Sequence, residues 1–129
     1  MSDSTKKSEI NAAKAEAFAG RLLNALNDGA LCLMIAVGHR VGLFDAMREH
    51  TPATSDEIAR RACLNERYVR EWLGAMVTGR VINVDPESNR YVLPTEHAAF
   101  LTRAAGADNI AVFTQYISLL GDVEDDTVE

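Results

Sequence analysis

The sequence predicts a mainly α-helical fold carrying one small β-hairpin. Three observations carry that reading. Apolar residues recur at helical spacing through residues 9–50. Two further helical patterns, divided by a tight turn, follow a capping signal at Thr54. Two short runs rich in β-branched and aromatic residues then flank the turn cluster Asp85-Pro86-Glu87-Ser88-Asn89. At 129 residues, 47% hydrophobic and 25% charged, the composition is that of a globular domain with a core of its own.

The elements follow in order. Residues 1–8 are polar, and disorder is expected there. Over residues 9–28, Phe18, Leu22 and Leu26 stack at i, i+4, i+8, with Lys14, Arg21 and Asn24 opposite. Asn27-Asp28-Gly29 reads as a turn or helix end. A second helix is expected over 30–49. Its apolar residues surround it on nearly all sides, which implies burial. Gly38 and Gly42, one turn apart, mark either a close helix approach or a kink. His39 interrupts the apolar run and reads as a structural histidine or, less simply, a pocket residue.

Thr54-Ser55-Asp56-Glu57 fits a capping box, opening a short helix with Ile58, Ala59, Ala62 and Cys63 inward. Asn65 caps a longer helix over 66–78, where Val69, Trp72, Leu73, Met76 and Val77 must face a core. Gly79 ends it. Short helix, turn, longer helix and hairpin is the order of a winged helix-turn-helix, here expected over 51–103 with the hairpin as wing. A short helix begins at Pro94-Thr95. Residues 107–121 place Ile110, Phe113, Ile117 and Leu120 at helical spacing, and the acidic run from Asp122 reads as the start of a further helix.

Charge narrows the function. The net charge of −6 lies entirely in residues 104–129, and the 51–103 block is neutral. Binding a polyanion needs a basic footprint. The exposed face of the 66–78 helix sets Arg67 and Arg70 against Glu66 and Glu71, and the wing sets Arg90 against Asp85 and Glu87. Nucleic acid is therefore not the expected partner. If the domain did read DNA, as a stand-alone winged-helix regulator, Arg67, Arg70 and Arg90 would carry it. No GxGxxG, P-loop or GxSxG is present, and His39, His50 and His97 lack metal-ligand spacing, so neither a catalytic nor a metal site is assigned. Cys32 and Cys63 read as buried reduced thiols. The most apolar run, residues 30–38, falls far short of the roughly 20 residues of a membrane span, so no membrane role and a cytoplasmic location are expected.

The phrases GHRVGLFDAM, PATSDEIARRACLNERYVREWLGAMVTGRVINVDPESNRYVLPTEHAAFL and FTQYISLLGDVEDD closely resemble one family. It is the class I S-adenosylmethionine-dependent methyltransferases of small-molecule O-methyltransferase type, in their N-terminal portion. The resemblance spans about residues 10–129. It implies that the helices of 9–50 join two subunits through Phe18, Leu22 and Leu26, although packing within one chain fits the spacing equally well. It implies that the winged helix roofs a substrate cleft, with Met34, His39, Phe113 and Tyr116 as pocket candidates. It implies that 104–129 link to a catalytic domain whose glycine-rich loop this sequence lacks. The expectation is thus a homodimeric cap domain, either a shortened product or a domain acting alone, with no cofactor of its own. S-adenosylmethionine and a small-molecule substrate belong to a full-length protein.

Overall fold

The computed structural model describes residues 9–49, 51–117 and 119–120. The expected disorder at 1–8, the acidic helix start from Asp122 and His50 lie outside them. The described residues are mostly helical, with one two-stranded antiparallel sheet, and form the expected winged helix-turn-helix.

The first helix, α1 (Ala12–Val41), is one unbroken element of 30 residues. Asn11 caps it, its side chain accepting from the Lys14 amide at 3.1 Å. The turn expected at residues 27–29 is absent. A glycine inside a helix costs about 1 kcal/mol, and contacts further along outweigh that cost. Leu31 seats against Gly79, and the Trp72 indole Nε1 donates to the Met34 carbonyl at 2.8 Å. The break comes at Gly42 instead, whose φ of 80° is left-handed and accepts a helix stop without a Cβ clash. A short helix, α2 (Leu43–Ala46), follows.

Helices α3 (Ser55–Ala62) and α4 (Glu66–Thr78) build the helix-turn-helix. Both halves of the capping box form at Thr54 and Glu57, and Asn65 accepts from the Arg67 amide at 2.9 Å. Cys63 makes the turn in left-handed geometry. It is exposed and Cys32 half-buried, so the expected burial of both thiols does not hold. The chain must leave α3 outward at the turn, and that carries the Cys63 side chain away from the core.

Strands β1 (Asn83–Asp85) and β2 (Arg90–Val92) form the wing, in the register Asn83↔Val92 to Asp85↔Arg90. Asp85 holds the turn by accepting from the Glu87 amide and the Ser88 hydroxyl. Ala53 forms an isolated antiparallel bridge to the other edge of β2, exchanging both backbone hydrogen bonds with Tyr91. The core gathers under these elements from Phe44, Ile58, Val69, Leu73, Met76, Ile82 and Leu93. Helix α5 (Thr95–Leu101) closes it, with Ala98 inward.

The expected helix over 107–121 is replaced at its start by 3₁₀ turns, Arg103–Asp108 and Ile110–Gln115. Gly106 kinks the first, and the half-turn at Asn109 caps the second through Ala111. The kink rotates Ala111 inward and leaves Ile110, Phe113, Ile117 and Leu120 exposed.

Candidate functional site

Helix α1 carries two apolar faces. Leu31, Met34, Ile35 and Gly38 turn toward α4 and the core. Leu33, Val37 and Val41 turn the other way and stay exposed. The burial all round that the composition implied is therefore met within one chain on one side only. Toward the N-terminus every residue from 12 to 28 is exposed. Phe18, Leu22 and Leu26 lie in one strip there, 55%, 55% and 69% exposed. Arg21, expected on the opposite face, instead borders this strip, its guanidinium 5.9 Å from the Phe18 ring centroid, because residues three apart are neighbours on a helix surface. The 3₁₀ turn at Ile110–Gln115 packs along α1 and leaves Val112, Phe113, Tyr116, Ile117, Leu119 and Leu120 uncovered beside it. Soluble monomers rarely expose contiguous apolar patches above a few hundred Å².

The same continuity changes the membrane argument. Residues 30–38 are not a short isolated run. They sit in a helix that, among the described residues, is long and apolar enough to cross a bilayer by length and composition. Its C-terminal third is engaged with Trp72 and the core.

The arginines that would have met DNA are all engaged. Arg67 pairs with Glu71 and Arg70 with Glu66, one helical turn apart along α4, each at 3.7 Å. Arg90 reaches from the wing to Glu57 at 3.6 Å. Glu66 also accepts from the Ser55 hydroxyl, tying the start of α3 to that of α4. The mixed charges read from the sequence are thus neutralised pairwise on the face a DNA-reading domain would keep basic.

The four pocket candidates do not converge. Met34 borders a groove of about 800 Å³ between α1 and α4, floored by Gly74 and Ala75. Phe113 and Tyr116 stack on each other, with centroids 6.2 Å apart, on the outer surface. His39 is buried in the last turn of α1, and its Nδ1 has no hydrogen-bond partner among the described residues. Burial, and then the nearby Arg103 guanidinium, push its pKa below the ordinary 6.5, with Asp45 opposing. Arg103 is itself clamped to Asp45, through its backbone amide and its side chain. The sequence reading missed a different hollow, beside α5, lined by Ile35, Phe100 and Ile110. Its residues are scattered over four segments, and no spacing rule joins them.

These features define a winged helix-turn-helix domain whose outward helices are apolar and whose recognition face is charge-neutral. The chain belongs to the Rv2258c-like winged HTH domain family, whose model matches residues 29–103. No curated protein sequence matches it. Among solved structures it resembles PigF with SAH (19% identity, TM-score 0.63), over 84% of this chain and 29% of that one. It also resembles the S-adenosylmethionine-dependent methyltransferase SibL in its apo form (23% identity, TM-score 0.58), over 74% and 27%. A third likeness is to human N-acetylserotonin methyltransferase in complex with SAM (19% identity, TM-score 0.54), over 75% and 28%. At these identities the likeness is one of fold. The chain spans less than a third of the length of each of the three.

Proposed function

We propose that this domain joins two copies of its chain and roofs the substrate cleft of an S-adenosylmethionine-dependent methyltransferase acting on a small molecule. The observation that carries the first half is the outward apolar strip of α1, Phe18, Leu22 and Leu26, continued by Leu33, Val37 and Val41. Burying apolar surface stabilises association by roughly 25 cal/mol per Å² before the costs of ordering. An antiparallel or crossed pair of α1 helices would cover this strip on both copies at once. That self-complementarity is what a two-fold interface needs.

The second half is supported by the shared fold with methyltransferases. The cap contributes shape. It would exclude water from the acceptor and from the reacting sulfonium, which belongs to the cofactor bound elsewhere in a full-length protein. The pairing of Arg67, Arg70 and Arg90 weighs against the alternative of a DNA-binding regulator, because each cation offered to phosphate must first leave a glutamate.

Light scattering on a size-exclusion column tests the reading. The chain should elute as a dimer at micromolar concentration, and Leu22→Glu should give a folded monomer. A monomeric parent chain, partition of the parent onto neutral lipid vesicles, or a low-salt gel shift with duplex DNA would each sink it.

A further inference from the structure

We propose that Asn27-Asp28-Gly29 is a hinge in α1, and that residues 12–26 beyond it form an arm whose helix is held only while a second copy covers it. The inference rests on the self-association proposed above and adds the conformational step that accompanies it. The two halves of α1 are held differently. From Leu31 onward the fold grips the helix. A Cβ on Gly79 would lie 2.5 Å from the Leu31 side chain, and a Cβ on Gly38 would lie 2.3 Å from the Trp72 ring. Trp72 also donates to the Met34 carbonyl. From residue 12 to residue 28 every residue is exposed. Isolated helices of about this length are marginal in water even when rich in alanine.

The arm joins the gripped half through three poor helix formers in a row. Neither packing nor backbone geometry calls for glycine at position 29. Gly38 and Gly79 are needed for close contact, and Gly42 for its left-handed turn. At Gly29 the backbone is helical, and an added Cβ would meet nothing within 4 Å. The side chains of Asn27 and Asp28 are exposed and make no hydrogen bond or ion pair among the described residues. Low helix propensity is therefore what the triplet contributes. It lets the arm leave the helical state without disturbing residues 31–41. Covering Phe18, Leu22 and Leu26 restores the missing stabilisation, so ordering of the arm and association become one equilibrium.

Amide hydrogen exchange on the full chain, above and below its dimer dissociation constant, tests the hinge. In the dimer, residues 13–26 and 31–41 should both be protected. In the diluted parent and in Leu22→Glu, residues 13–26 should exchange near the free-peptide rate while 31–41 stay protected, with the step at 27–29. Gly29→Ala should tighten the dimer roughly tenfold, because each copy gains helix propensity on associating. A helix already complete in the free chain would gain equally in both states and leave the dissociation constant unchanged. Equal protection of 13–26 and 31–41 in the monomer, or an unchanged dissociation constant for Gly29→Ala, overturns the hinge and leaves the dimer standing. A parent chain that is monomeric at micromolar concentration removes the dimer and the hinge with it.

Discussion

Gly38 sets how closely α1 can approach α4. A Cβ built on it would lie 2.3 Å from the Trp72 ring and 3.0 Å from Phe44. Those two rings meet edge to face, with centroids 5.1 Å apart, so neither can retreat without disturbing the other. Gly38→Ala should therefore destabilise the domain by about 1–3 kcal/mol, the usual cost of overpacking, although alanine is the better helix former. Chemical denaturation measures it, and a stabilised variant would contradict the packing account. His39 gives a second residue-level expectation. Its pKa is lowered in the folded chain, so the unfolded chain takes up the proton first as pH falls. The stability linked to His39 is full above about pH 6.5 and is lost progressively below it. Denaturation at pH 7.5 and 5.5 should show a smaller drop for His39→Gln than for the parent. Equal drops would remove His39 from the account.

The capping box of α3 is the element-level feature with the clearest energetic consequence. Thr54 Oγ1 accepts from the Glu57 amide, and the Glu57 carboxylate accepts from the Thr54 amide. Glu57 also faces Arg90 on the wing, so the cap joins α3 to the hairpin. Thr54→Ala should cost about 1 kcal/mol. Arg90→Ala should cost less, because the pair is well exposed and screened by solvent. A thermal melt of each variant separates the two. Caps of this kind were legible in the sequence because they act over three or four residues. The length of α1 was not. Asn27-Asp28-Gly29 is a local stop signal, and it loses to packing made by residues 31–38 against α4, a contact between positions some forty residues apart.

At the scale of the whole molecule, the described chain leaves much of its apolar surface uncovered. The first half of α1 and the stretch from Val112 to Leu120 hold most of it. If α1 is the clasp, folding and association are linked, and stability must depend on protomer concentration. The melting midpoint should rise as the chain is concentrated, and the Leu22→Glu chain should melt at one temperature throughout. A parent midpoint insensitive to concentration would count against the dimer. The candidate surface was half legible. Phe18, Leu22 and Leu26 share one helical spacing, and they are exposed in one strip. The pocket choices Met34, His39, Phe113 and Tyr116 went to separate places, because a pocket is made by residues distant in sequence and the kink at Gly106 turned the last segment.

Sequence alone determined the order of the winged helix-turn-helix, its caps, the inward face of α4 and the cancelling charges around it. These depend on near neighbours, through helical and strand periodicity and local hydrogen bonds. Tertiary structure alone decided that α1 runs unbroken, that its apolar girth is buried on only one side, and that Ala111 rather than Phe113 turns inward. Each of those outcomes is a competition between a local preference and contacts made across the fold, and only the assembled packing says which is stronger.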